Sequence, residues 1–267
     1  MMKSLNDMTK RGILMSSQKS IYNRPDIYDI LFTENMTELL KNHYETVFNN
    51  KKITSIHDCS YGTGNLTKVL SKMGYKVSGS DISNEMLEQA HEKNIIEQLD
   101  IKLIQSDFRD LTNQIHEQFD CVMSTGNSLA HVNNDDVKTA IDQMSKLIKA
   151  GGYIYIDTRN WDRILDTNNR FYYYQPMIKD NERINAMQVW DYNDNGTITF
   201  NLLYSFEKEN RIFRREEFSE LYYPFTKEVL VNYLKEIGFK EIELYSFIHH
   251  QVKNYDDMEW YVIIGKK

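Results

Sequence analysis

Between residues 53 and 157, short apolar runs alternate with amphipathic stretches of helical period, and this alternation constrains the fold more than any other feature. Runs at 53–58, 75–80, 101–105, 119–124 and 153–157 read as strands. Leu66, Val69, Leu70 and Met73 fall on one helical face, and Gly74 sits where a helix end takes a left-handed residue. Ser83 caps a helix that buries Met86, Leu87 and Ala90. Val137, Ile141, Met144 and Ile148 line another helix, stopped by Gly151-Gly152. Such alternation gives a parallel sheet with helices on both faces, an α/β chain of Rossmann-like kind.

After residue 160 the rhythm changes to period two. Ile198, Phe200, Leu202, Tyr204 and Phe206 share one face of an extended run, and Asn195-Gly196 before it marks a tight hairpin turn. Thr226 opens a helix carrying Leu230, Tyr233, Leu234 and Ile237 inward, with Gly238 at its end, and strands at about 240–248 and 258–265 follow. The expected organisation is an N-terminal arm with helices (1–49), a core (50–164 with 225–267) and an antiparallel insert (165–224), with arm and insert both expected to cover the substrate pocket.

Composition narrows the function. Among 267 residues, 41% are hydrophobic and the net charge is −7, which argues against a protein that coats nucleic acid. No run reaches the roughly 18 apolar residues of a membrane span, and the first twenty lack a secretory apolar core, so a cytoplasmic protein is expected. Cys59 and Cys121 form no disulfide framework.

The chemistry lies in Asp58-Cys59-Ser60-Tyr61-Gly62-Thr63-Gly64-Asn65, between the first strand and the first core helix. Glycines there let backbone approach a ligand at the carboxyl edge of the sheet, and Asp81, ending the next strand, suits the two hydroxyls of a ribose. A dinucleotide fingerprint needs a third Gly or Ala, and Thr67 stands in that position. S-adenosylmethionine fits better: it has no pyrophosphate, and its sulfonium suits the acidic Asp58. Asp107 can accept the adenine amino hydrogens while Phe108 stacks on the ring. A plain strand-to-helix turn with solvated acids is the competing reading.

These features resemble the class I S-adenosylmethionine-dependent methyltransferases over roughly 50–160 and 225–265. The resemblance implies a seven-stranded sheet with an antiparallel last strand, in which Cys59 and Cys121 lie too far apart to bridge. It also carries cofactor binding onto Tyr28, Ser60, Gly62, Gly64, Ile82 and Thr125, beside Asp58, Asp81, Asp107 and Phe108. The nucleic-acid amino-methyltransferase motif is absent, because Ser124–His131 holds no proline.

Two segments are similar to the glycine and sarcosine N-methyltransferases: Gly126-Asn127-Ser128-Leu129-Ala130-His131 and Ile156-Asp157-Thr158-Arg159-Asn160-Trp161-Asp162. Leu221-Tyr222-Tyr223-Pro224 matches a third; Thr158, Trp161 and Tyr61 depart from the pattern. The resemblance implies that Arg159 grips an amino-acid carboxylate while Asn127, Tyr222 or Tyr223 orient the amine. A structural ion pair of Arg159 with Asp157 or Asp162 is the alternative reading. At the level of function, another small amine, an amino sugar, or a silent cofactor-binding regulator are the alternatives. No metal site is expected: Asp191–Gly196 imitates a calcium loop but lacks its closing Glu, and His249-His250 on a strand would point to opposite faces. His131 is a candidate base, and Arg211, Arg214 and Arg215 read as a solvated face. The arm at 1–24 is a candidate to reach a second copy in a homo-oligomer.

Overall fold

The computed structural model describes residues 19–267. Residues 1–18, most of the arm proposed to reach a neighbour, lie outside the described residues. Two N-terminal helices come first, the single turn α1 (Pro25–Tyr28) and the longer α2 (Glu34–Val47). The alternating part follows as β1 (Ser55–Asp58), α3 (Lys68–Lys72), β2 (Lys76–Asp81), α4 (Asn84–Ile96), β3 (Lys102–Gln105), α5 (Leu111–Gln114), β4 (Phe119–Ser124), α6 (Asn134–Leu147), β5 (Ile148–Arg159) and α7 (Trp161–Thr167). Five antiparallel strands come next: β6 (Phe171–Tyr173), β7 (Met177–Lys179), β8 (Glu182–Tyr192), β9 (Ile198–Lys208) and β10 (Arg211–Tyr222). Then α8 (Lys227–Glu236), β11 (Lys240–Ser246) and β12 (Trp260–Lys266) close the chain.

The main sheet has seven strands in the order β11-β12-β5-β4-β1-β2-β3, with β12 antiparallel to both β5 and β11. The order reverses between β1 and β4, so their carboxyl ends open a crevice, the place where α/β sheets bind ligands. The second sheet runs β10-β9-β8-β6, with β7 also on β8. Along β9 burial alternates strictly, and Ile198, Phe200, Leu202, Tyr204 and Phe206 are all buried, as the period-two pattern requires. Thr226 accepts from the Val229 amide and Ser83 from the Met86 amide, so both hydroxyls cap the expected helices.

Several expectations need correction. Helix α6 ends at Leu147, and Ile148 already pairs with Phe119 on β4. Gly151 and Gly152 therefore lie inside β5, where the register shifts between Phe119 and Cys121, and stop no helix. Regular helix after the glycine loop begins only at Lys68, because the preceding turns fold around Gly64. Strand β11 stops at Ser246, so His249 and His250 lie in the loop beyond it; His250 stacks on His43 at 4.9 Å. Asn195-Gly196 closes a five-residue connection, 193–197, with Gly196 left-handed at φ 81°. The Asp191 carboxylate there pairs with Arg170 at 2.8 Å. Cys59 and Cys121 are both buried and free. No helix among the described residues is long and apolar enough to cross a membrane.

Candidate active site

Asp58 organises the loop from below. Fully buried, it accepts from the Ser60 amide at 3.0 Å and the Thr125 hydroxyl at 2.7 Å, and from the Thr67 hydroxyl. One carboxylate thus ties the end of β1, the glycine turn and the end of β4 together. Burial pushes its pKa up to about 6, opposed by those hydroxyl bonds. Gly62 and Gly64 take φ of 56° and 80°, a region that costs a side chain dearly. A Cβ on Gly64 would also lie 2.6 Å from the Tyr61 ring.

Above the loop is a cavity of about 560 Å³. Ser60, Gly62, Asp81, Ile82, Asp107, Phe108, Thr125 and Tyr28 line it, as expected of a cofactor site. Asp58 and Gly64 do not: both lie behind the wall and shape the loop without facing the ligand space. Asp81 accepts from the Gly62 amide at 2.8 Å and the Ser83 amide at 2.9 Å, and burial raises its pKa. Asp107 is more engaged than its sequence suggests: Arg109 grips it at 2.6 Å and also holds Asp136 at 2.9 Å. Burial alone would raise the Asp107 pKa, and Arg109 brings it below the usual carboxylate range.

A second cavity, about 640 Å³, opens between the main sheet and the inner face of the second one. Arg159, Asn127 and Tyr222 line it. Tyr223 does not: it lies just past the end of β10 and lines the first cavity, and its amide donates to Ala130 at 2.7 Å. Tyr22, Tyr28, Phe32, Leu66 and Gly126 border both cavities, so the two meet at Gly126.

Arg159 has no ion-pair partner among the described residues. Asp157 instead accepts from the Gly126 amide at 2.8 Å and the Trp260 indole at 3.1 Å. Asp162 accepts from the Lys227 amide at 3.1 Å and the Tyr255 hydroxyl at 2.6 Å. The Arg159 guanidinium carbon lies 5.0 Å from the Trp190 ring and 4.9 Å from the Trp260 ring, an aromatic clamp that fixes the cation without neutralising it. Its Nε is buried without an acceptor. Asn127, left-handed at φ 62°, accepts through Oδ1 from the Thr158 hydroxyl at 2.9 Å and the Arg159 amide at 3.1 Å. That fixes its Nδ2 as a second buried donor without a partner. Unpaired buried donors are costly, and two lining one cavity point to an acceptor ligand.

The sequence offers the N-terminal arm as a cover, and the structure adds the contacts that anchor it. The Ser20 hydroxyl and the Ile21 amide donate to Glu220 at 2.6 and 3.0 Å, pinning the strand-side end of that segment to β10. Asp29 accepts from Thr63 and Asn65 at 2.6 Å and pairs with Lys93, fastening the other end to the glycine loop. Tyr22 reaches His131 Nε2 at 2.7 Å, and burial pushes that histidine down to about 4, so it is neutral at pH 7. No spacing in the sequence marks Tyr22 or Glu220, since their partners lie about a hundred or more residues away.

Comparison with known proteins agrees with this geometry. A methyltransferase domain family matches residues 56–152. A glycine/sarcosine N-methyltransferase of Aphanothece halophytica is 29% identical over 214 residues, covering 79% of this chain and 75% of that one. A glycine/sarcosine/dimethylglycine N-methyltransferase of Actinopolyspora halophila is 26% identical over 220 residues, covering 80% of this chain but 36% of that longer one. An S-adenosylmethionine-dependent methyltransferase from Clostridium acetobutylicum superposes with a TM-score of 0.71 at 20% identity, covering 90% of this chain and 96% of that one. Sheet order, glycine loop and these matches make the chain a class I S-adenosylmethionine-dependent methyltransferase, an enzyme with S-adenosylmethionine as its cofactor. Within that class, the curated relatives it resembles are glycine/sarcosine N-methyltransferases.

Proposed function

We propose that this enzyme methylates the amine of a small amino acid, of which glycine and sarcosine are the type. The carrying observation is Arg159: a guanidinium clamped by two tryptophans, with no carboxylate of its own, beside the unpaired Nδ2 of Asn127. A planar, two-pronged cation beside a neutral donor matches a substrate carboxylate. An amine or amino sugar without an acid group would have no use for it.

The cofactor fits the first cavity on three counts. Asp81 presents a carboxylate to it, Gly62 presents bare backbone, and a Cβ on Gly62 would meet no protein atom. Ser60, Asp81, Ile82, Asp107, Phe108 and Thr125 are the residues proposed to hold it, with Tyr28 from the cover. When bound, it supplies an electrophilic methyl group. The chain's own part is placement: Arg159 and Asn127 hold the acceptor's acid end, so its amine is directed toward the junction at Gly126. Tyr222 and Trp190 wall the acceptor from water, and the 19–33 segment covers the junction. We propose the second sheet, within the 165–224 insert, as the substrate cover.

Replacing Arg159 tests this reading. Arg159→Ala should raise the acceptor KM about 30-fold or more, from the loss of a charge-assisted bond, with little change in S-adenosylhomocysteine affinity. An unchanged KM would remove the carboxylate assignment.

A further inference from the structure

The second cavity is larger than glycine needs. Its roughly 640 Å³ lies in the range of sites for drug-sized ligands, whereas the acid end of an amino acid occupies only the corner at Arg159 and Asn127. The remaining wall is built from the inner face of the second sheet. Trp190, Phe200 and Leu202 are buried there with relative exposures of 2, 5 and 4%, and Tyr172 and Tyr192 extend the same surface. Gln188, the buried polar side chain on this wall, has both ends of its amide committed. It donates to the Tyr174 hydroxyl and accepts from the Trp190 indole at 3.1 Å. One N–H and one lone pair of that amide remain, a single polar point within an aromatic wall. Next to the carboxylate-binding corner, the wall formed by the second sheet is therefore mainly apolar and aromatic, while Arg163, Asp257 and Glu259 lie on other parts of the lining.

We infer that the acceptor is an amino acid with an extended apolar side chain, seated on Trp190, Phe200 and Leu202 while Arg159 and Asn127 hold its carboxylate. This rests on the carboxylate reading above and goes beyond it, because the glycine and sarcosine acceptors named for the relatives leave that wall to water. Burial of apolar surface against a preformed pocket rewards each added carbon, at about fourfold in affinity per methylene.

The test is a series of acceptors assayed with the full-length enzyme for S-adenosylhomocysteine release: glycine, alanine, norvaline, norleucine, phenylalanine, pentylamine and an amino sugar. Pentylamine is norleucine without its carboxylate. Expected is a kcat/KM that rises along the straight-chain amino acids, by about 50-fold from alanine to norleucine, with pentylamine at least about 30-fold worse than norleucine. Glycine as the best amino acid, with pentylamine poor, would overturn the extended side chain and leave the carboxylate reading standing. Pentylamine equal to norleucine would overturn the carboxylate reading while leaving the apolar wall in use. Turnover of the amino sugar alone would overturn both.

Discussion

Trp260 donates its indole N–H to the Asp157 carboxylate across 3.1 Å while its ring lies 4.9 Å from the Arg159 guanidinium carbon. The same Asp157 oxygen accepts from the Gly126 amide at 2.8 Å and the Asn127 amide at 3.3 Å. One buried carboxylate oxygen therefore positions both the indole beside Arg159 and the turn that carries Asn127. Neither group is covalently near the other, so their registration depends on this contact.

Asp157→Asn tests that dependence. The amide keeps the shape and can leave its oxygen facing the three donors, but it is a weaker acceptor and puts an unpaired N–H where the unpartnered Oδ2 lay. The acceptor KM should rise about tenfold, while S-adenosylhomocysteine affinity stays within about threefold. Steady-state kinetics beside calorimetry separate the two. A fall in cofactor affinity as large as the rise in KM would show that Asp157 supports the whole loop cluster instead.

The same residue gives a pH signature. Burial pushes the Asp157 pKa up to about 7, with the Trp260 bond opposing, from 3.8 for a free side chain. Below the unfolded value both states are protonated; between the two values only the native state keeps the proton. The stability tied to this proton is therefore fully present below about pH 4 and lost as pH rises through about 7. Histidine 43 acts in the opposite sense. Burial lowers its pKa from 6.5 to about 3, so its share is present above 6.5 and lost as pH falls toward 3. Asp157→Asn removes only the first effect. The wild-type Tm should gain on that of the variant between about pH 8 and about pH 5.5 in paired thermal scans. A constant Tm difference would mean that Asp157 is not held protonated by the fold.

Tyr61 is one of the departures from the resembling pattern, and the structure shows what its ring demands of its neighbours. It packs over β2 so closely that a Cβ on Gly79 would fall within the ring's contact distance. Gly79→Ala should destabilise by about 1–3 kcal/mol through overpacking. In the Tyr61→Cys background the same change should cost far less, and a double-mutant cycle by urea unfolding measures the coupling. Additive losses would show that Gly79 is needed for its backbone and not for Tyr61.

The alternating sheet was legible because each strand and helix carries its own period, and the caps at Ser83 and Thr226 act locally. The cofactor loop was legible for the same reason: Ser60, Gly62 and Asp81 announce a ligand edge within a short span of chain. For Asp58 the sequence gives a position at a strand end but not that the Ser60 amide and the Ser60, Thr67 and Thr125 hydroxyls would enclose it. Tyr222 and Tyr223 could not be told apart until the end of β10 was known: Tyr222 is its last residue, paired with Ile198, whereas Tyr223 has left the strand and bonds Ala130. The tryptophan clamp was invisible for a topological reason. Trp190 and Trp260 come from two different sheets, and only the tertiary fold brings both rings to about 5 Å from the Arg159 guanidinium.

The N-terminal cover supplies the last prediction. Glu220 on β10 accepts from both the Ser20 hydroxyl and the Ile21 amide, and the Ser219 amide donates to Lys19 at 3.1 Å. The cover therefore adds to the second sheet through Glu220, one backbone bond and an Arg24–Glu216 ion pair at 3.6 Å, and Tyr22 is carried over the junction between the cavities. Glu220→Ala removes the carboxylate and leaves the two donors at Ser20 and Ile21 to water. S-adenosylhomocysteine affinity should fall about tenfold by calorimetry, chiefly through faster release. Glu220→Gln keeps an acceptor oxygen at the same reach and should recover most of that loss. If Glu220→Ala and Glu220→Gln weaken binding equally, the negative charge, and not the anchoring of the cover, is what Glu220 contributes.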